Sequence, residues 1–230
     1  MQEEFDKFAD EYYTNHLSNI RLSGESPEYF AEYKIRDLFR LLSPTATQNL
    51  RILDFGCGVG NSTPWLQKYF GKSQFNGVDV SIKSLDIARS RYSDIATFSH
   101  YDGRTLPYDD NTFDAAVASC VFHHIPGDRH HELLSEIRRV LKIQGRILVH
   151  EHNPLNPLTR HAVNTCPFDE NAVLIWCRNL LKLISTAGFE EVEREYRIFF
   201  PNKLKFLRLL EKHLKHLPLG AQYFVTGIKK

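Results

Sequence analysis

Arg51-Ile-Leu-Asp-Phe-Gly-Cys-Gly-Val-Gly60 is the stretch that decides the fold of this chain. A short apolar strand runs into an acid, Asp54, and then into three glycines at every second position. Because glycine has no Cβ, a ligand can lie against the bare backbone of such a turn. A second apolar segment, residues 75–79, ends in Asp79, where a carboxylate can accept hydrogen bonds from both hydroxyls of a ribose. The pattern predicts a nucleoside-containing cofactor at the carboxyl ends of a parallel sheet.

The spacing of the glycines distinguishes between cofactors. Dinucleotide-binding loops have the pattern G-x-G-x-x-G, whose third glycine allows close helix–strand packing. Counted from Gly56, that glycine falls at position 61, where this chain has Asn61 and carries Gly60 one place earlier. Cys57 and Gly58 complete a G-x-G-x-G loop. This spacing disfavours an NAD(P)-dependent oxidoreductase, which stays the first alternative.

Later segments resemble class I S-adenosylmethionine-dependent methyltransferases of the small-molecule type, similar to the UbiE and methyltransferase-11 group. The glycine loop matches their first motif, and Tyr101-Asp-Gly-Arg-Thr-Leu-Pro looks like their adenine-binding segment. Val121-Phe-His-His-Ile125 is similar to their turn beside the cofactor sulfur. The resemblance implies S-adenosylmethionine as the cofactor. It implies that the cofactor is bound by Asp54, Gly56, Cys57, Gly58, Asn61, Asp79, Val80, Asp102, Gly103, Ser119 and Cys120.

The same resemblance implies an α/β fold, a three-layer αβα Rossmann-like sandwich with an N-terminal helical lid. Its sheet is expected to be mostly parallel and seven-stranded, in the order 3-2-1-4-5-7-6. Alternating apolar strands and helical patterns also indicate right-handed βαβ units. Beyond the first two strands, further strands are predicted at 96–101, 113–119, 145–151, 189–198 and 222–228. Thr63 is predicted to cap the helix after the glycine loop, and Ser81 the next helix.

A single domain is expected over residues 1–230, since 230 residues suit one α/β core. Its predicted parts are a helical cap at 1–42, a cofactor-binding core at 50–151, an insert at 152–170 and C-terminal helices with a closing hairpin at 171–230.

Composition narrows the partners of the chain. The formal net charge is +1, so no overall field favours nucleic acid or a membrane. The chain has no apolar run of about 18 residues, so no integral membrane segment is expected. Four scattered cysteines and an acidic, polar start predict neither disulfides nor a signal peptide, and therefore a cytoplasmic protein. The turn at 119–124 lacks the Pro-Pro-aromatic pattern of nucleic-acid base methyltransferases, so no nucleic-acid partner is expected.

Histidines mark the predicted catalytic groups. His123 and His124 follow strand four, whereas His150 and His152 end strand five on one face. A neutral imidazole can accept a proton from a hydroxyl near neutral pH, so the predicted acceptor is a small molecule methylated on oxygen. His152 is the first choice for this base and His124 is the second. Metal binding by the histidine cluster is the less favoured alternative, because the spacings do not form the helical histidine pair of zinc enzymes, so no metal site is predicted.

Substrate contacts are expected from the insert and the lid. Asn153, Asn156, Thr159 and Arg160 are expected to orient the acceptor, with Arg160 pairing with any anionic group. Tyr12 of the lid is expected to cover the cofactor and exclude water. A non-catalytic protein that only binds the cofactor stays the second alternative.

A leucine repeat near the C-terminus has two interpretations. Leucines recur at a spacing of 3–4 across 203–217, at Leu204, Leu207, Leu210, Leu214 and Leu217. The first interpretation is a buried apolar stripe beneath a solvated basic face. The alternative is a surface helix that docks on anionic lipid.

Overall fold

The computed structural model describes residues 20, 23–43 and 49–230. Seven strands form one sheet in the order β3-β2-β1-β4-β5-β7-β6. Only β7 runs antiparallel to its neighbours β5 and β6. The predicted topology is therefore confirmed. The strands are β1 Arg51–Phe55, β2 Gln74–Asp79, β3 Ala96–His100, β4 Phe113–Ser119, β5 Leu141–His152, β6 Glu190–Arg197 and β7 Gln222–Ile228.

Helices cover both faces of the sheet and complete the three-layer sandwich. Within the described ranges they are α1 Pro27–Leu42, α2 Thr63–Phe70, α3 Ile82–Tyr92, α4 His130–Val140, α5 Pro157–Asn164, α6 Cys177–Thr186 and α7 Glu211–Leu214. Helices α1, α2 and α3 share one apolar cluster, whereas α4 and α6 share the other. Within the described residues, 3₁₀ helices lie at Phe122–His124, Gly127–Arg129, Pro167–Asp169 and Asn202–Leu210.

The central strands carry buried apolar residues on both faces, because both faces of the sheet are covered. Ile52 and Leu53 of β1 are fully buried, as are Ala115 and Val117 of β4. Such continuous apolar runs are typical of parallel strands between two helical layers. The carboxyl ends of β1, β2, β3 and β4 therefore emerge at one edge of the sheet, where ligands bind in this type of fold.

The predicted and observed element boundaries differ most at β5. Strand β5 begins at Leu141 and not at 145, because Leu141 already pairs with Phe113 of β4, across a register shift between Phe113 and Ala115. Helix α2 begins at Thr63, so its N-cap position is Ser62 and not the predicted Thr63, and the Ser62 side chain makes no capping hydrogen bond. The cap on α3 is confirmed, since Ser81 Oγ accepts from Ser84 N at 3.1 Å.

The predicted buried leucine stripe near the C-terminus is wrong. The segment folds as a 3₁₀ helix followed by the short α7, and neither element has a buried residue. Leu204 leaves helical geometry at φ −111° and ψ 23°, and a 3₁₀ helix has three residues per turn, so the leucines do not align on one face. Phe206 and Leu209 are 69% and 82% exposed.

The N-terminal lid is only partly described. Helix α1 forms the described part of the predicted cap at 1–42, and Tyr12 lies outside the described residues. Among the helices that can be described, none has the length and apolarity needed to cross a bilayer.

Candidate functional site

The glycine loop leaves β1 and packs tightly against two neighbouring turns. Gly56 N donates to Val78 O at 2.8 Å, which holds the loop against the end of β2. Gly56 has φ +70°, and a Cβ there would approach a methyl carbon of Val121 to 2.6 Å. At Gly58, with φ +50°, a Cβ would meet nothing within 4 Å. The loop is therefore closed on its inner side and open to a ligand at Gly58.

Asp79 braces this loop from the tip of β2. Its Oδ2 accepts from Gly58 N at 2.8 Å and its Oδ1 from Ser81 N at 2.9 Å. Each carboxylate oxygen has a further lone pair, so the same group can also accept from a ribose diol. A Cβ on Gly103 would lie 3.5 Å from Val80 Cγ1, so the tips of β2 and β3 meet beside this carboxylate.

Asp102 and Asn61 lie at the edges of the predicted cofactor site. Asp102 Oδ1 accepts from the backbone N–H groups of Thr105 and Arg104, and these bonds hold the pKa of the exposed Asp102 below its usual range. An ionised acceptor suits an adenine amino group. Asn61 Oδ1 accepts from Arg91 Nη1 at 3.3 Å, just before α2.

Asp54 carries an unsatisfied buried oxygen behind the loop. Only 4% of the residue is exposed, and its Oδ2 has no hydrogen-bond partner among the described residues. Burial raises the pKa of Asp54 to about 7, although a hydrogen bond from Ser62 opposes the shift. Such an oxygen fits an incoming cation, and the amino group of S-adenosylmethionine is one. The open Gly58 turn and the Asp79 carboxylate also fit this cofactor.

Beyond the cofactor loops, a cavity of about 260 Å³ opens at the end of β4. Apolar side chains of α1 and α5 and the segment 198–201 form part of its wall. The structure brings six residues predicted for the site to this cavity, namely Ser119, Cys120, His124, His152, Asn156 and Thr159. Its remaining polar lining includes Lys34, His123, Asp169 and Gln222.

Cys120 lies between a buried lysine and two polar side chains. Its Sγ accepts from Lys34 Nζ at 3.1 Å, and its φ is +60°, a left-handed conformation found mainly at constrained sites. Burial opposes ionisation, but the charges of Lys34 and His152 lower the pKa of Cys120 to about 7. The sequence analysis missed Lys34. It is aligned with Phe30 and Leu38 on the buried face of α1, and a charge on an apolar helical face is the signal that identifies it.

Hydrogen bonds set the tautomer of His152. The Tyr33 hydroxyl donates to Gln222 Oε1, which directs Gln222 Nε2 toward His152 Nδ1 at 3.2 Å. In neutral His152 the ring proton is therefore on Nε2. In this tautomer Nε2 carries a hydrogen and is a hydrogen-bond donor.

A buried acid holds the turn that carries the other two histidines. Glu151 Oε1 accepts from Phe122 N at 2.8 Å, and its Oε2 lies 2.5 Å from His123 Nδ1. Asp169 Oδ1 lies 3.5 Å from His123 Nε2 and 3.4 Å from His124 Nε2. The sequence analysis missed both acids. An acid shortly after the apolar run Ile147-Leu148-Val149 is the signal for Glu151, whereas no sequence pattern links Asp169 to the histidines.

The charges of this cluster displace the pKa values in opposite directions. Burial lowers the pKa of His123, but Glu151 and Asp169 outweigh it and raise the value to about 10. Burial and the charge of His123 lower the pKa of His124 to about 4. Burial raises the pKa of Asp169, but the histidines outweigh it and lower the value to about 2.

Three residues from the predicted polar region do not reach the cavity. His150 is fully buried in ring contact with Tyr33 and Phe224, and it does not line the cavity. Asn153 is buried and donates to the carbonyls of Pro218 and Gly220. Arg160 is exposed and does not line the cavity. Asn153 and Arg160 are therefore absent from the described lining of the cavity, and their contact with the acceptor stays a prediction.

Asn156 lines the cavity but is also a structural residue. Its Oδ1 accepts from Leu158 N and Thr159 N at 3.1 Å, which caps α5. Its Nδ2 donates to Leu219 O at 2.9 Å.

Comparisons with known proteins agree with this geometry. A family model described as "Methyltransferase domain" matches residues 53–149. The demethylmenaquinone methyltransferase of Thermotoga maritima is 30% identical over 152 residues, which are 66% of this chain and 61% of that protein. These findings support a class I S-adenosylmethionine-dependent methyltransferase.

Further relatives within this methyltransferase family show its breadth. The O-methyltransferase cnsE of Penicillium expansum is 31% identical over 180 residues, covering 74% of this chain and 62% of that protein. A solved S-adenosylmethionine-dependent methyltransferase of Thermotoga maritima, described as a possible histamine N-methyltransferase, aligns over all of both chains with a TM-score of 0.69. At 24% identity this likeness shows the fold alone. This chain spans between 36% and 62% of the lengths of the first curated relatives it matches.

Proposed function

We propose that this protein is an active S-adenosylmethionine-dependent methyltransferase that methylates a hydroxyl group of a small molecule. One observation carries the proposal: the open glycine loop, braced by Asp79, leads directly to a cavity lined by three histidines. Val121 joins the two regions, since it packs on Gly56 and is followed by His123 and His124.

Positioning is the main task of the chain. When bound, the cofactor supplies a methyl group on a positively charged sulfur, which is already a good leaving group. The protein must hold the acceptor in line with that methyl and exclude water, and positioning of this kind supplies up to about 7–11 kcal/mol. Ser119 and Cys120 line the cavity on the side predicted for the cofactor, and Phe30 and Phe199 contribute apolar wall.

The two predicted histidines are proposed to act on the acceptor oxygen. His152 donates from Nε2, because the bond from Gln222 leaves its ring proton there. His124 stays the predicted proton acceptor. Asn156 is proposed to add a polar contact, since it also lines the cavity.

The hydroxyl acceptor is chosen over nitrogen and carbon acceptors for its chemistry. A hydroxyl must lose its proton in the reaction, and histidines near that oxygen serve this need. The relatives of this chain include an O-methyltransferase and a demethylmenaquinone methyltransferase, and these support a small organic acceptor. The cytoplasmic location and the absence of a nucleic-acid partner stay predictions.

An acceptor panel tests the proposal. The purified chain is incubated with S-adenosylmethionine and small phenols, alcohols, amines and carbon acids, and S-adenosylhomocysteine and methylated products are measured by mass spectrometry. We expect turnover with a hydroxyl compound, reduced about 10²–10⁴-fold in His124→Gln, because general-base catalysis contributes this much. The exposed His161→Gln is the matched control.

Two results oppose the proposal. Turnover with amines alone overturns the choice of a hydroxyl. Tight cofactor binding without turnover of any acceptor favours the non-catalytic alternative.

A further inference from the structure

Three side chains that can ligate a metal meet on the wall of the acceptor cavity. His123 and His124 lie in the 3₁₀ turn after β4, and Asp169 ends the turn Pro167–Asp169. One nitrogen of each imidazole and one carboxylate oxygen all lie within 4.8 Å of one another. All three residues line the cavity. The cluster therefore joins two segments that are far apart in the sequence.

The two separations that involve Asp169 fit neighbouring ligands on one ion. Asp169 Oδ1 is 3.5 Å from His123 Nε2 and 3.4 Å from His124 Nε2. Ligands placed about 2.0–2.1 Å from a tetrahedral zinc ion lie about 3.3–3.4 Å from one another. Hydrogen bonds between nitrogen and oxygen are shorter, at about 2.9–3.0 Å. The carboxylate is thus aimed at both rings but is far from ideal hydrogen-bond distance to either.

Glu151 supplies the support that a metal-bound histidine usually has. It lies 2.5 Å from His123 Nδ1, so the opposite nitrogen of that ring is directed at Asp169. A carboxylate on the far nitrogen of a histidine fixes the ring orientation and raises its basicity as a ligand. Val173 N also donates to His123 O at 2.8 Å, which ties the loop after Asp169 to the histidine turn.

The cluster is open on one side only. The His123 side chain is 1% exposed, whereas those of His124 and Asp169 are 15% and 13% exposed. An ion held here has protein ligands behind it and vacant positions toward the cavity. This is the arrangement of catalytic metal sites, which keep a position for water or substrate.

We propose that His123, His124 and Asp169 bind one divalent transition-metal ion of the zinc type, which holds the acceptor oxygen in the cavity. Two imidazoles and one carboxylate suit borderline cations of this class. The sequence predicted no metal, because the adjacent histidines form no helical pair and nothing pointed to Asp169. The fold supplies that third ligand.

The role of the ion rests on the proposed function, but its binding does not require turnover. An ion at this position polarises the bound hydroxyl and lowers its pKa as a Lewis acid. In the metal-bound protein His124 is a ligand, so the ion takes over the role proposed above for that residue.

Metal titration tests the proposal on the full chain. The protein is stripped with a chelator and titrated with Zn²⁺ by calorimetry and with Co²⁺ by visible absorption. We expect one site per chain, weakened by at least about tenfold in Asp169→Asn and in His124→Gln, since even supporting partners of a metal site contribute that much. The exposed His161→Gln is expected to bind as the unmodified chain does.

The outcomes separate this proposal from the proposed function. Equal Zn²⁺ binding by the unmodified chain and Asp169→Asn, or no binding by either, overturns the metal site. S-adenosylmethionine affinity is measured on each variant to verify folding. A bound ion without turnover of any acceptor leaves the metal site standing and contradicts the function. Turnover that a chelator does not change, together with no ion binding, overturns the metal site and leaves the proposed function standing.

Discussion

The cofactor end and the acceptor end of this pocket are built from different kinds of sequence. At the cofactor end, each group lies at the end of a strand or in the few residues after it, and Asp79 is the last residue of β2. At the acceptor end, Lys34 comes from α1, Glu151 from β5, Asp169 from a 3₁₀ turn and Gln222 from β7. Local loops thus make the cofactor end, whereas long-range packing makes the acceptor end. A change at the first end should act on binding, and a change at the second on chemistry.

Gly56→Ala should have the largest effect and tests the tightness of the cofactor end. The new Cβ would lie 2.6 Å from methyl carbons of Val121, at a φ of +70°. Left-handed strain of about 1–2 kcal/mol and overpacking of about 1–3 kcal/mol should lower both the Tm and the cofactor affinity. Gly71→Ala is the control, since its φ is +52° but no atom lies within 4 Å. Equal losses of Tm and cofactor affinity in the two variants would contradict the tight packing of the cofactor end.

Asp54→Asn should change how stability depends on pH. Burial raises the pKa of Asp54 to about 7, so the folded state binds a proton more tightly than the unfolded chain, where an Asp has a pKa of about 3.9. The stability that this group contributes is complete below pH 4 and is lost as the pH rises toward 7. At about 1.4 kcal/mol per pKa unit, the loss is a few kcal/mol.

Urea unfolding of the cofactor-free protein at pH 5 and pH 8 checks this prediction. Asp54→Asn should be more stable than the unmodified chain at pH 8, whereas the exposed Asp86→Asn should not. The same pH dependence in all three proteins would contradict the assigned pKa.

Asp79→Ala should weaken S-adenosylmethionine binding by about 1–3 kcal/mol, the usual cost of losing a charge-assisted hydrogen bond. Calorimetry gives the dissociation constant directly. Asp86→Ala on the neighbouring α3 is the matched control, because its carboxylate pairs with Arg89 at the surface. An unchanged dissociation constant in Asp79→Ala would refute the ribose assignment.

Cys120 should be the cysteine whose reactivity depends on the acceptor end. Burial opposes ionisation of Cys120, but the charges of Lys34 and His152 outweigh it and lower the pKa of Cys120 to about 7. Burial raises the pKa of Cys57. Iodoacetamide at pH 7 should therefore modify Cys120 faster than Cys57, as measured by peptide mass spectrometry. Lys34→Gln should slow the reaction several-fold, and the exposed Lys68→Gln should not. Similar rates at the two cysteines would be the contrary result.

The smallest expected effect concerns the surface near 202–210. Because Phe206 and Leu209 are exposed beside lysines, contact with anionic lipid stays a proposal for this segment. Charge reversal at Lys203 and Lys205 should weaken binding to phosphatidylserine vesicles by about 1 kcal/mol per lysine. The measurement is co-sedimentation of the protein with the vesicles. Neutral vesicles are the control. Sedimentation that does not respond to the charge reversal would remove this proposal.

The two ends also differ in how far the sequence could predict them. Asp54, Asp79 and the glycines were identified because a strand end fixes the position of the next few residues. His124 and His152 were identified for the same reason at the ends of β4 and β5.

Asp169 could not be predicted, because its approach to His123 depends on the path of the whole insert. Lys34 and Glu151 were detectable only as charges within apolar patterns. Arg160 and Asn153 were predicted to contact the acceptor but do not line the cavity. A polar loop near the site does not reveal which way each side chain faces. The buried stripe predicted for the leucines of 203–217 is wrong, because the prediction assumed a regular α-helix.

One small set of bonds has a practical consequence for redesign. Asn153, Asn156 and Thr159 each bond a carbonyl within 218–221, across the approach to β7. Grafting a relative's insert alone would leave those carbonyls without donors. To change the acceptor preference by grafting, the insert and residues 218–221 should therefore be exchanged together.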